Sequence, residues 1–210
     1  MKPKALRNGD TIGLISPASP VPESKAKACM EWVKSAGYNV KWGESIFGSR
    51  GYLSGNDELR AHDINMMFQD EEVDAIFCIR GGYGTMRLLE MIDYDLIRNN
   101  PKIFVGYSDI TALHTTFFQK TGLITFHGPM VASFAKKGLD KHSEDYMFRA
   151  LMNPQPLGDI INPPDIPVRA YNGGTARRKI VGGNLSLLAD TMGTPYEIDT
   201  KDKILFIEEV

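Results

Sequence analysis

Ser108 stands where a serine nucleophile is expected in an α/β protein. Residues 103–107 are apolar and β-prone, and apolar side chains recur at helical spacing over 109–120, so the sequence predicts a strand that turns into a helix at this serine. The backbone N–H groups of a first helical turn have no partner inside the helix, so they could stabilise an oxyanion formed beside the hydroxyl. Serine and aspartate are also common N-caps, so helix capping is the alternative interpretation.

A second candidate is the sequence RGGYG at residues 80–84, which follows another apolar run. Its glycines allow positive φ angles and let bare backbone N–H groups approach a phosphate or a developing oxyanion. The sequence is neither GxGxxG nor a Walker loop. Arg80 could hold a substrate carboxylate, or it could pair with a nearby acid. The alternative is a tight turn that needs glycine for its geometry alone.

A serine nucleophile needs a base that takes its proton, and the chain has four histidines. His62 and His142 lie in polar surroundings. His114 follows Ser108 on the same predicted helix at about 600° of rotation, so it faces another direction. His127 ends the next predicted strand and is the one that geometry could bring close, although a histidine that satisfies a loop carbonyl is commoner.

Glu208 and Glu209 end the last predicted strand. Strand alternation puts the two side chains on opposite faces, so one of them could orient a base. The alternative is a solvated acidic turn.

Strand-like and helix-like runs alternate over the first two thirds of the chain, which predicts an α/β fold with a doubly wound, mainly parallel sheet. The predicted strands are 11–16, 39–42, 75–79, 103–107 and 124–126, and the predicted helices are 23–36, 57–69, 85–91 and 110–120. Ligands of such sheets bind beyond the carboxyl ends of the strands. Three candidate motifs follow strands in this way, at residues 16–20, 80–85 and 106–109.

The composition changes after residue 150, with five prolines between residues 153 and 167. We expect residues 1–150 to form a Rossmann-like or flavodoxin-like domain and residues 151–169 a proline-rich linker, because proline disfavours helix and central strand alike. Residues 170–210 then begin a smaller carboxy-terminal domain, with strands at 178–181 and 203–210 around a short helix, 184–192, that Gly182 and Gly183 open. Since the most apolar strand of this part comes last, we expect the natural protein to continue beyond it.

The overall composition excludes several classes of partner. With 210 residues, 42% of them hydrophobic, and a net charge of −2, the chain gives no electrostatic reason to bind nucleic acid or an anionic membrane. The apolar run at 11–16 is too short for a signal peptide or a membrane span, so a cytoplasmic location is expected. Cys29 and Cys78 show no metal-site spacing and are expected to be free core thiols; no metal or cofactor is predicted.

Five motifs, taken together and in order, resemble the LD-carboxypeptidase family of serine peptidases. They are RGGYG at 80–84, GYSDITAL at 106–113, FHGP at 126–129, GGNLSLL at 182–188 and ILFIEE at 204–209. The resemblance covers nearly the whole chain. It implies a cytoplasmic, homodimeric enzyme that trims the terminal D-alanine from murein tetrapeptides during cell-wall recycling, or a relative that hydrolyses peptide-nucleotide antibiotics related to microcin C.

The resemblance also implies a role for individual residues. Ser108 would be the nucleophile and Glu208 the acid of a Ser-Glu-His triad, with the backbone N–H groups of Asp109 and Gly82 as oxyanion hole, and with Arg80, Gly81 and Tyr83 binding substrate. The family's histidine follows the acidic strand, and no residue of this chain matches it; His127 belongs to another motif. The alternative from a different class is a non-catalytic module whose glycine loop binds a nucleotide phosphate or a wall peptide.

Overall fold

A computed structural model describes residues 1–135 and 140–209. A five-stranded parallel sheet, with the strand order β2-β1-β3-β4-β5, forms the centre of the first part. Its strands are β1 (Thr11–Ile15), β2 (Asn39–Trp42), β3 (Ala75–Cys78), β4 (Ile103–Gly106) and β5 (Phe126–His127). The predicted doubly wound, mainly parallel α/β fold is therefore confirmed.

Helices cover both faces of this sheet. They are α1 (Glu23–Ser35), α2 (Asp57–Gln69), α3 (Tyr94–Asn99), α4 (Thr111–Thr121), α5 (Val131–Phe134) and α6 (Lys141–Met152). One core lies between the sheet and α1, α5 and α6, and the other lies between the sheet and α2, α3 and α4. Neighbouring residues of β3 enter different cores, Phe77 the first and Ile76 the second, as expected for a strand buried on both faces. Cys29 and Cys78 are free and buried, as predicted.

Two predicted elements are wrong. The segment expected to form a helix at 85–91 instead forms a short 3₁₀ turn, Thr85–Leu88, whose first residue bonds through its backbone N–H and its hydroxyl to Asp109 in the next strand-end loop. The helix comes later, as α3, where the Asp93 side chain accepts a hydrogen bond from Leu96 N and caps the first turn. The strand expected at 124–126 begins later, at Phe126.

The second part of the chain is a small parallel pair of strands with one helix. A connector without helix or strand, residues 153–178, leads to β6 (Lys179–Asn184), α7 (Leu185–Asp190) and β7 (Lys203–Glu208). Gly182 and Gly183 lie within β6 and do not open the helix, because Asn184 is the residue that caps α7. Among the residues described, no helix is long and apolar enough to cross a membrane.

Two close approaches join β6 to the first part. A Cβ on Gly183 would lie 2.6 Å from the hydroxyl oxygen of Thr111, so only glycine lets the strand approach the start of α4 this closely. The next residue, Asn184, donates its backbone N–H to the same hydroxyl at 3.0 Å. Asn184 also pairs in register with Glu208, so the end of β7 is brought to the helix that follows Ser108.

Candidate active site

Ser108 occupies a strained turn between β4 and α4. Its φ angle is +62°, in the left-handed region that residues other than glycine rarely adopt. Two residues earlier, a Cβ on Gly106 would lie 2.8 Å from the Ile110 side chain, so the turn is too tight for a larger residue there. A sharp, strained strand-to-helix turn of this kind holds the nucleophile of many serine hydrolases at the edge of the sheet.

The capping interpretation of Ser108 is wrong. Tyr107 precedes the 3₁₀ turn Ser108–Ile110 and Ile110 precedes α4, and neither start has a side-chain cap. Asp109 does not cap its own helix either, because its Oδ2 accepts the backbone N–H of Thr85 at 3.0 Å. The hydroxyl of Ser108 therefore has no capping role in the described structure.

The glycine loop after β3 lies directly against the serine. A Cβ on Gly81 would lie 3.2 Å from the Cβ and 3.3 Å from the Oγ of Ser108, so the backbone of Gly81 lies close against the Ser108 side chain. Gly82 has a φ of +124°, and a Cβ there would lie 2.1 Å from the hydroxyl of Ser19 in the loop after β1. Ser19 also donates to Gly81 O and accepts from Tyr83 N, both at 3.3 Å. All three predicted strand-end motifs thus meet at the carboxyl edge of the sheet.

Asp109 is a buried structural group beside Ser108. Its carboxylate accepts from Thr85 N, and the Thr85 hydroxyl donates to the carbonyl oxygen of Asp109 at 2.5 Å. Burial raises the pKa of this carboxyl above its ordinary value. The pair of bonds fixes the backbone of Asp109, whose N–H is one of the predicted oxyanion donors, relative to the glycine loop.

Arg80 and Tyr83 form the open rim of the loop. Arg80 is exposed, and its Nη1 donates to the carbonyl oxygen of Pro20 at 3.2 Å rather than to an acid. The Tyr83 ring packs edge-on against Tyr52, with ring centroids 5.6 Å apart, and both rings are about half exposed. The sequence alone did not indicate Tyr52, because no local pattern distinguishes it from any other loop tyrosine.

Glu208 and His127 meet at the same edge of the sheet. Glu208 Oε1 lies 3.8 Å from His127 Nε2, and each side chain is 25% exposed. His127 pairs with Gly106 in the sheet, two residues before the serine. Burial lowers the pKa of His127, and the carboxylate of Glu208 opposes that shift only in part, so the neutral imidazole is favoured at pH 7.

Glu209 points to a different set of partners, as strand alternation predicts. Its carboxylate accepts from the backbone N–H of Ser186 at 2.9 Å, from the Ser186 hydroxyl at 2.7 Å and from Asn184 Nδ2 at 3.2 Å. Glu209 is exposed, as a solvated acidic turn predicts, yet its carboxylate is also bonded to the start of α7. This acid holds the start of α7 against the end of β7, while Glu208 faces the histidine.

His114 is buried in the core and bonds to the strand that precedes Ser108. Its Nε2 donates to the carbonyl oxygen of Gly106 at 2.8 Å, and burial lowers its pKa to about 4. A neutral imidazole held in this way supports the strand before Ser108. His62, by contrast, is exposed on α2.

A parallel sheet with a strained serine at a strand end and converging glycine backbone is typical of α/β enzymes with a serine nucleophile. Residues 12–128 match the model of the LD-carboxypeptidase N-terminal domain, and residues 178–210 match that of the LD-carboxypeptidase C-terminal domain. The chain belongs to the LD-carboxypeptidase family.

The relatives agree with this assignment. The chain is 43% identical to a protein named "probable murein peptide carboxypeptidase" from Bacillus subtilis (strain 168), over all of the chain and 65% of that protein. The crystal structure of an MccF-like protein from Bacillus anthracis superimposes with a TM-score of 0.89 at 35% identity, over all of the chain and 70% of that structure. Muramoyltetrapeptide carboxypeptidase from Oxalobacter formigenes gives a TM-score of 0.81 at 28% identity, over 95% of the chain and 65% of that structure. The chain thus spans about two thirds of the length of these relatives.

Proposed function

We propose that this protein is a serine LD-carboxypeptidase that hydrolyses the L,D-peptide bond of a murein tetrapeptide and releases the terminal D-amino acid. The observation that carries the proposal is the left-handed backbone of Ser108 at a strand end, in contact with Gly81. Catalysis by such a site needs a serine hydroxyl exposed beside preorganised N–H donors. The similarity to the murein peptide carboxypeptidase of B. subtilis supports the choice of substrate.

The proposed reaction proceeds through an acyl-enzyme. The Ser108 hydroxyl attacks the carbonyl carbon of the scissile bond while a base takes its proton, and the backbone N–H groups of Asp109 and Gly82 stabilise the oxyanion. The base then protonates the amine of the departing D-amino acid, and water hydrolyses the acyl-enzyme. Glu208 orients the base, which the family resemblance assigns to a histidine after the acidic strand and not to His127.

Substrate recognition is assigned to the rim of the glycine loop. A peptidase that releases one terminal residue must bind the carboxylate at that end of its substrate. Arg80 is an exposed cation within the loop that touches Ser108, so we assign the terminal carboxylate to its guanidinium. The backbone of Gly81 and the ring of Tyr83 would then line the path of the peptide.

The decisive experiment compares the natural full-length protein with its Ser108→Ala variant on a purified murein tetrapeptide. Release of D-alanine should fall by about 10⁴-fold or more, because the members of a catalytic triad act as a unit. Ser35→Ala, at the exposed end of α1, is the matched control and should release D-alanine at the normal rate. Equal release by Ser108→Ala and the unsubstituted protein would reject the assignment.

A second candidate function keeps the chemistry and changes the substrate to a peptidyl nucleotide. The similarity to the B. anthracis MccF-like structure and to the Escherichia coli protein named microcin C7 self-immunity protein MccF, at 31% identity, favours it. The exposed rings of Tyr52 and Tyr83 could stack on a base. Comparing kcat/KM for the tetrapeptide and for an aminoacyl sulfamoyl adenosine separates the two substrates. Tight binding of either ligand without turnover would instead favour the non-catalytic module.

A further inference from the structure

Arg60 is a buried cation that joins two of the loops at the carboxyl edge of the sheet. It lies on α2 and is fully buried. Its Nη1 donates to the carbonyl oxygen of Pro17, in the loop after β1, and to that of Gly84, in the glycine loop, at 3.1 Å. Its Nη2 donates to Asp57, which supplies the opposite charge. A buried guanidinium is tolerated because it is both paired and hydrogen-bonded.

The glycine loop depends on such outside anchors. Gly82 and Gly84 both have positive φ angles, +124° and +116°, and the loop has no ladder of regular hydrogen bonds. Ser19 holds its first half, and Asp109 holds Thr85 at its end. The bond from Arg60 to Gly84 lies between these two points. It gives the loop a third anchor, at its last residue.

We propose that Arg60 is a positioning residue of the active site. By holding Pro17 and Gly84 to one rigid guanidinium, it fixes the backbone of Gly81 and Gly82 relative to the Ser108 hydroxyl. It does not touch the substrate. The inference rests on the serine hydrolysis proposed above, and it adds a residue that neither the sequence motifs nor the family resemblance indicates.

Lys102 provides a matched control at the opposite edge of the sheet. It precedes β4 and is 8% exposed, and its Nζ donates to the carbonyl oxygens of Met67, at 2.9 Å, and Asp70. Like Arg60, it is a buried cation bonded to two backbone carbonyls. Unlike Arg60, it lies at the amino edge of the sheet, where no predicted catalytic residue lies. If Arg60 has a purely structural role, its folded variants should keep kcat near normal, as is expected for Lys102→Met.

The test uses Arg60→Met, Arg60→Lys and Lys102→Met in the full-length protein. For each variant, kcat and KM for the tetrapeptide are measured together with the rate at which a fluorophosphonate acylates Ser108 and the free energy of unfolding. We expect Arg60→Met to lower kcat about 10²-fold in the folded protein, with KM changed less than about threefold, since misplaced oxyanion donors act on the transition state. Acylation should slow by a similar factor. Lys102→Met should lose stability yet keep kcat within about twofold.

Arg60→Lys decides the matter if Arg60→Met does not fold. Lysine keeps the positive charge but lacks the planar guanidinium, which holds two carbonyl oxygens in fixed directions. We therefore expect kcat to fall about tenfold, to a value between those of Arg60→Met and the unsubstituted protein. An unchanged kcat in folded Arg60→Lys would overturn the proposal, as would an equal fall in Lys102→Met. If Ser108→Ala keeps its activity, the proposed serine hydrolysis is wrong. If Ser108→Ala is inactive but the folded Arg60 variants keep a normal kcat, only the positioning role of Arg60 is wrong.

Discussion

The two edges of the parallel sheet differ in backbone strain and in how well their polar groups are hydrogen-bonded. Near the amino edge, charged side chains have bonding partners: Lys41 contacts Asp70 at 2.6 Å and Glu72 at 2.5 Å, and Asp74 accepts the backbone N–H of Thr11 at 2.9 Å. At the carboxyl edge, Ser108 has a strained backbone. In the described part of the chain, several buried polar atoms near this edge lack a hydrogen-bond partner, namely Ser16 Oγ, Ser54 Oγ, Arg60 Nε, Asp109 Oδ1 and Glu208 Oε1.

This difference separates the part of the fold that provides stability from the part that is organised for chemistry. Strain and unpaired polar groups are expected at functional sites, because the surrounding structure holds them in place there. Substitutions at the carboxyl edge should therefore change rates more than stability. Substitutions at the amino edge should do the reverse.

The largest expected effect in the comparison comes from Glu208→Gln. Replacing the acid by its neutral isostere should lower kcat about 10⁴-fold, because the base then loses the group that orients it. Steady-state release of D-alanine measures this loss. Glu209→Gln is the matched control, since it weakens the bonds to Ser186 and Asn184 and should cost about 1 kcal/mol of stability with much less loss of rate. If kcat fell further in Glu209→Gln than in Glu208→Gln, Glu209 would be the acid that orients the base and Glu208 would have the structural role.

Gly81→Ala should have the next largest effect. The new methyl group would lie 3.2–3.3 Å from the Ser108 side chain, so either the serine or the loop must shift by a few tenths of an ångström. We expect kcat to fall about 10²-fold, because the attack geometry tolerates little displacement. Gly128→Ala adds a methyl group with no atom within 4 Å and should leave kcat unchanged. Equal kcat values for the two variants would mean that Gly81 does not constrain the nucleophile.

The smallest effect on catalysis is expected at the amino edge, where Lys102 should instead make stability depend on pH. Burial lowers the pKa of Lys102 to about 8. Between pH 8 and about 10.5, the unfolded chain therefore retains a proton that the folded chain has released, so this residue's contribution to stability increases as the pH rises. The gain should be at most about 3 kcal/mol.

Denaturant unfolding of the unsubstituted protein and of Lys102→Met at several pH values measures this contribution. The difference between their free energies of unfolding should change across the window of pH 8 to 10.5 in favour of the unsubstituted protein. A difference that stays constant with pH would contradict the shifted pKa.

The sequence predicts the central sheet well because its signal is local. The bounds predicted for β2 and α2 are those observed, β3 ends one residue earlier than predicted, and the change of period marks Ser108. The segment expected to be a helix at 85–91 is a 3₁₀ turn that Asp109, a residue 24 positions away, holds at Thr85. Periodicity carries no information about such a contact.

Arg60 shows the same limit within the candidate site. Its neighbours in the sequence DELRAHD are mostly polar, so the pattern indicates an exposed charge on the surface of a helix. In the structure, Arg60 is fully buried. Its burial depends on two loops that fold over it from other strands. Tyr52 likewise becomes part of the site only through its contact with Tyr83. Residues that support a site through tertiary contacts alone leave no local pattern.

The contact between β6 and α4 affects which insertions and deletions this chain can tolerate during evolution. Because Gly183 and Asn184 dock directly on Thr111, the position of β6 and of its partner β7 does not depend on the path of the connector at 153–178. Lengthening such a connector costs little closure entropy, about 0.6 kcal/mol for each doubling. Insertions and deletions there can therefore accumulate over evolution without moving Glu208, whereas a single methyl group added at position 183 would shift it.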